Sequence, residues 1–168
     1  MFRVNVDSLQ AYLDFDPRRK VHLVKLDELI KRSAPCLKRY FHKGTPAGEP
    51  GMRFKMIGYG KFYYFALPGK AVEWPVVGVA LQRNYISVYL SVAKNDLPLV
   101  QQYAGKLGEL RIGRNNFSFE EYEDLKLLAV SSLFAEADRI FNADPSHSTQ
   151  VQRARTIRGF APAQKARK

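Results

Sequence analysis

The chain has 168 residues, enough for one domain with a proper core, and its 46% hydrophobic and 26% charged residues are ordinary globular values that exclude a fibrous or wholly disordered class. Its formal charge of +11 is uneven: residues 1–19 carry three basic and three acidic side chains, residues 20–141 carry 18 and 12, and residues 142–168 carry six and one. The opening MFRVNVDSLQ shows no basic region followed by an apolar core, and no run approaches the roughly 20 apolar residues a bilayer crossing needs, so neither secretion nor membrane insertion is expected.

Residues 1–19 read as an N-terminal arm, 20–141 as a single α+β domain and 142–168 as a basic flexible tail. Lys20 to Ala34 is predicted as the first substantial helix, because Leu23, Leu26, Leu29 and Ile30 recur at helical spacing. Proline suits a first helical turn, so Pro35 to Phe41 reads as a second short helix with Leu37, Tyr40 and Phe41 inward. The single cysteine, Cys36, falls on that apolar stripe and is expected as a small buried thiol; with no disulfide partner in the chain, a reducing, cytoplasmic home fits. His42 to Gly51 is a glycine- and proline-rich loop.

Four short strands follow in this reading: Arg53 to Ile57, a turn at Gly58 to Gly60, Lys61 to Leu67, a loop from Pro68 to Pro75, then Val76 to Leu81 and Tyr85 to Ser91 about a Gln82-Arg83-Asn84 reversal. Together they predict an antiparallel meander. Asp96 is placed to cap a helix through Tyr103. Glu109 to Ile112 and Asn116 to Phe119 look like short strands about Gly113, and Ser118 with Glu121 has the spacing of a capping box for a last helix, Glu120 to Phe141, with Tyr122, Leu125, Leu128, Ala129, Ser132, Leu133 and Ile140 buried. The composition changes at Asn142, where little remains that can offset the entropy of ordering.

Few constellations carry chemistry. His22, His42 and His147 are too dispersed for a zinc site, and neither Gly58 to Gly60 nor Leu67 to Lys70 has the spacing of a phosphate-binding loop. Glu120, Glu121, Glu123 and Asp124 form the one dense acidic cluster, where a hard cation would have to bind, although acids at a helix start are sufficiently explained by the dipole. Tyr85 and Tyr89, with Arg83 and Lys61 near their turns, have the makings of a stacking platform for single-stranded nucleic acid unless a helix covers them. Arg153, Arg155, Arg158, Lys165, Arg167 and Lys168 cluster positive charge in the tail, which suits nucleic acid by counterion release.

From about Val21 to Ala137 the chain resembles the YdhG-like family, a bacterial domain of unknown function with a frataxin-like member. The resemblance rests on Ser33-Ala34-Pro35, on Gly44-Thr45-Pro46, on the run from Val77 to Leu90 over the central hairpin, and on Leu107 to Arg114 with Phe119 following. It implies an α+β domain with an antiparallel sheet packed by helices from both chain ends and no established reaction. Through one branch described as an intracellular iron chaperone, it also implies iron handling as an alternative role. The chain departs from the family's pattern where Lys38 and Arg39 replace an acidic pair, and where Asn115 to Ser118 stand in place of a usual Cys and Arg.

The leading expectation is a non-enzymatic binding module that presents Arg114, with Lys61 and Arg83 as neighbours, to a small anion or acidic protein partner. The alternatives are iron binding at the acidic cluster and nucleic-acid association through the tail.

Overall fold

The computed structural model describes residues 2–67 and 70–143. Four helices and eight strands follow in order: α1 (Leu9–Asp14), α2 (Lys20–Ser33), β1 (Arg39–His42), β2 (Met56–Leu67), β3 (Lys70–Leu81), β4 (Ile86–Leu90), β5 (Ala93–Lys94), β6 (Leu97–Pro98), α3 (Leu99–Tyr103), β7 (Arg111–Ile112), β8 (Asn116–Phe119) and α4 (Leu127–Ala143). The main sheet is antiparallel throughout, in the order β1-β2-β3-β4-β8-β7. The chain is thus α+β, its sheet packed by helices from both ends. A meander runs from β1 to β4; the chain then lays β7 at the far edge and returns as β8 between β7 and β4.

Alternation along the strands decides what the sheet buries. Ile57, Tyr59, Val77, Val79, Ile86, Val88, Phe117 and Phe119 share one core with Leu23, Leu26, Leu29 and Ile30 of α2 and with Val130, Leu133, Phe134 and Phe141 of α4. Each such side chain contributes about 1.5–3 kcal/mol by leaving water. The opposite row is made of small and polar groups: Tyr40, Gly58, Gly78, Tyr89 and Asn116 lie side by side across five strands. In the next row Ser87 and Ser118 face each other, their hydroxyls 2.8 Å apart.

Several elements differ from expectation. Residues 2–19 do not stand apart as an arm. Ser8 caps α1 by accepting from the Ala11 amide; Tyr12 is fully buried, its hydroxyl accepting from the Leu81 amide; and Arg19 donates to the carbonyls of Gln82 and Tyr85. Arg39 to His42 is a strand, not a helix, because Arg39, Tyr40, Phe41 and His42 complete the ladder along β2 opposite Tyr59, Gly58, Ile57 and Met56. Cys36 consequently sits exposed in the turn after α2.

Gly58 to Gly60 is no turn. It lies inside a twelve-residue strand, where Gly58 leaves room for the Tyr40 ring, which a Cβ would meet at 2.5 Å. Likewise Pro75 is inside β3. Beyond the Val77–Leu90 pair β3 has only β2 as a ladder partner, so the missing amide is tolerated, and Ser91 donates its hydroxyl to the Pro75 carbonyl.

Asp96 caps nothing. With Asn95 it forms the tight β5–β6 hairpin, both at positive φ (53° and 62°), the conformation a primed two-residue turn requires. Ser118 belongs to β8, and the capping box is made by Glu121 and Asp124 around a 3-10 turn at Tyr122–Asp124, so the last helix begins only at Leu127. Its register places Val130, Leu133, Phe134, Ala137 and Phe141 inside and leaves Leu128 89% exposed. Among the described residues, no helix is long and apolar enough to cross a membrane.

Candidate functional site

The residues singled out in the sequence do not converge. Arg83 lies exposed in the β3–β4 turn, at the Ile86 end of β4, whereas Arg114 lies exposed in the β7–β8 turn, whose Asn115 carbonyl accepts from Leu90 at the other end of that strand. Lys61 is on β2, two strands from β4. Lys61 lines a cleft that neither Arg83 nor Arg114 borders.

The acidic cluster is similarly engaged. Asp124 accepts from the amides of Glu121 (2.9 Å) and Glu120 (3.3 Å), and Glu123 pairs with Lys25 at 2.5 Å beside His22. The Lys25 ammonium holds the Glu123 carboxyl below the usual range. A cleft of about 320 Å³ does adjoin Glu120, Glu121 and Asp124, but among the described residues no three or more His, Cys, Asp or Glu side chains converge to hold a metal ion. Tyr85 is half-buried, and the Arg111 guanidinium lies 5.3 Å from its ring centroid, occupying the face a base would stack on. The tail residues Arg153, Arg155, Arg158, Lys165, Arg167 and Lys168 lie outside the described residues.

Lys61 leads instead to a site built where β1 ends and β3 begins. The long β2–β3 hairpin bends at Gly60, whose φ of +68° favours glycine and where a Cβ would meet Leu37 and Val76 side chains at 2.8–2.9 Å. The bend brings Lys61 onto the face of Tyr40, its ammonium 4.4 Å from the ring centroid, a cation–π separation. Across the ladder, Glu73 receives Lys61 at 3.1 Å and the Tyr63 hydroxyl at 3.4 Å.

His42, at the end of β1, is 5% exposed at its side chain. The loop after it folds back so that the Met52 carbonyl accepts from both the Thr45 amide (2.8 Å) and His42 Nε2 (3.2 Å). Gly44 makes this return with φ +79°, close enough to Arg53 that a Cβ would lie 2.6 Å from its carbonyl oxygen. A carbonyl only accepts, so Nε2 carries a proton. The other ring nitrogen, Nδ1, faces Glu73 Oε1 at 3.6 Å, too far for a hydrogen bond, and is buried without a hydrogen-bond partner. The Tyr40 hydroxyl is also buried and unpartnered.

These groups border a cleft of about 400 Å³ whose wall includes His42, Lys43, Lys61 and Lys70 with Glu49 and Glu73. Lys70 pairs with Glu49 at 3.4 Å across it, while Lys43 has no ion pair among the described residues. The His42 imidazole, then Lys61, hold the Glu73 carboxyl below the usual range against its own desolvation, and burial drives the Tyr40 phenol up. The site can therefore offer positive charge, a carboxylate and a buried imidazole that faces it. The loop glycines and Lys61 were visible signals in the sequence; the partnership of His42 with Glu73, 31 positions apart, needed the strand register.

No family model, no curated protein and no solved structure matches the chain.

Proposed function

We propose that the protein is a non-enzymatic binding module whose cleft between the His42–Pro50 loop and β3 takes a small acid. The observation that carries this reading is a buried imidazole nitrogen with no hydrogen bond, 3.6 Å from the Glu73 carboxylate, in a cleft lined by three lysines. Buried polar groups are nearly always satisfied, and an orphan on a cleft wall is accounted for by a guest that satisfies it. A cleft of about 400 Å³ falls in the size range of small-molecule sites.

The test is a thermal-shift and calorimetric screen of phosphate, sulfate and short mono- and dicarboxylates. Lys43→Ala and Lys61→Ala are expected to weaken the best of them by several-fold each, and Arg114→Ala to leave it unchanged. Binding that depends on Arg114 and ignores both lysines would reject this cleft as the site.

A further inference from the structure

The main sheet ends on β1, and part of that strand's backbone faces no other strand. The Gly60 amide donates to the Lys38 carbonyl at 3.0 Å, and these two residues continue the β1–β2 register. Hydrogen-bonded pairs alternate along an antiparallel ladder, so the next ones are Tyr40 with Gly58 and His42 with Met56. The amides and carbonyls of Arg39 and Phe41 therefore point away from β2, and none of them makes a hydrogen bond among the described residues. Arg39 is exposed and Phe41 half-buried. The opposite edge of the sheet, β7, is only two residues long.

An exposed strand edge invites pairing, and the charge along this one decides with what. Lys38 and Lys43 bracket the strand, both exposed and neither in an ion pair among the described residues. Arg39 adds a cation between them, shared with Asp27. A second copy laid antiparallel on the edge would set these cations against their own counterparts, and like charges facing across a strand pair are destabilising. An extended segment carrying Asp or Glu meets the reverse. Its carboxylates lie beside Lys38 and Lys43 while its main chain meets the outward groups of Arg39 and Phe41.

We infer that β1 is a docking edge for an extended acidic segment of a partner protein, which joins the sheet as an added strand. Main-chain hydrogen bonds supply the affinity in this mode, and the flanking lysines select the acidic chemistry. The edge runs into the cleft, since Phe41, His42 and Lys43 line both. It goes beyond the small-acid reading all the same: a docked strand needs no small acid, and Lys38 lies outside the cleft.

The test is amide hydrogen exchange, read by NMR on the full-length chain with three probes: an acetylated, amidated peptide of alternating glutamate and valine, its lysine–valine counterpart, and L-malate. In the free chain the Tyr40 and His42 amides, held by β2, are expected to exchange about ten-fold or more slower than those of Arg39 and Phe41. The glutamate peptide is expected to slow Arg39 and Phe41 by about ten-fold or more, and the lysine peptide and L-malate to leave them fast. Lys38→Glu, a change at an exposed side chain, is expected to weaken the glutamate peptide several-fold and to leave L-malate titrations unchanged.

Four results overturn the docking edge and leave the small-acid reading standing: Arg39 and Phe41 amides as slow as their neighbours in the free chain, protection that rises with protein concentration alone, equal protection by both peptides, or none by the glutamate peptide. Protection by the glutamate peptide, with no response to L-malate or to the wider anion screen, upholds the edge and overturns that reading instead.

Discussion

Strand β1 carries two polar clusters on opposite faces, and they are built in opposite ways. On the face under α2, Asp27 is 4% exposed and saturated: the Tyr59 hydroxyl donates at 2.6 Å, Arg39 at 2.5 Å, and Lys31 pairs at 3.2 Å. Burial, then the Asp27 charge, pushes the Tyr59 phenol well above its ordinary value, so it remains a donor. On the other face the Tyr40 hydroxyl and His42 Nδ1 are buried without hydrogen bonds, and Glu73 receives contacts of 3.1–3.6 Å from three directions without a short one. Neighbouring residues of one four-residue strand thus serve two ends. A saturated polar cluster holds elements together, since removing any member strands the others; an unsaturated one costs stability and leaves room for a guest.

The sharpest way to break this contrast is to damage each face in turn. Asp27→Ala leaves a buried phenol and a half-buried guanidinium unpaired, and is expected to cost about 3 kcal/mol, a fall in Tm of roughly 10 °C by calorimetry. Gly60→Ala attacks the bend that separates the clusters; a side chain at φ +68° pressed against Leu37 and Val76 is expected to cost about 2 kcal/mol in urea unfolding and to weaken ligand binding as Lys61 shifts. By contrast, Tyr40→Phe removes a hydroxyl that has no partner, so its stability is expected to lie within about 1 kcal/mol of wild type, neutral or higher. A loss as large as that of Asp27→Ala would mean the hydroxyl is satisfied after all.

The smallest effect is a pH dependence. Because the folded-state Glu73 carboxyl is depressed, its contribution is present above the carboxyl's unfolded value and is lost as pH falls through the lower folded one. Partial exposure keeps that contribution modest. The stability gap between wild type and Glu73→Gln is therefore expected near neutrality and should close on acidification; a gap that widens below the carboxylate range would reverse the sign assigned to this group.

How far the sequence revealed these features depended on how local their causes are. α2, the Gln82–Asn84 reversal, β4 and the β7–β8 pair about Gly113 were readable because periodicity and turn chemistry sit within a few residues. β1 was not: Tyr40 and Phe41 suit either a short helix or a strand, and the choice belongs to β2, fourteen or more residues on. Gly58 and Gly60 read as turn residues, yet one accommodates a ring and the other a bend. The start of α4 slipped because Ser118 and Glu121 have capping-box spacing, whereas Ser118 lies in β8 and the box is made by Glu121 and Asp124 around the 3-10 turn before the helix. Of the candidate site, Lys61 was legible as a cation near a turn; its separation from Arg83 and Arg114, and its meeting with Glu73 and His42, are products of strand order.

The central claim, that the His42 cleft is where this protein meets its ligand, is tested most directly by following His42 ring-nitrogen and lysine ammonium resonances by NMR during a titration with L-malate. The account predicts saturable shifts at His42 Nδ1, Lys43 and Lys61 with the Arg83 and Arg114 signals unmoved. Shifts confined to Arg83 or Arg114, or a His42 ring that stays silent while malate binds, would contradict it.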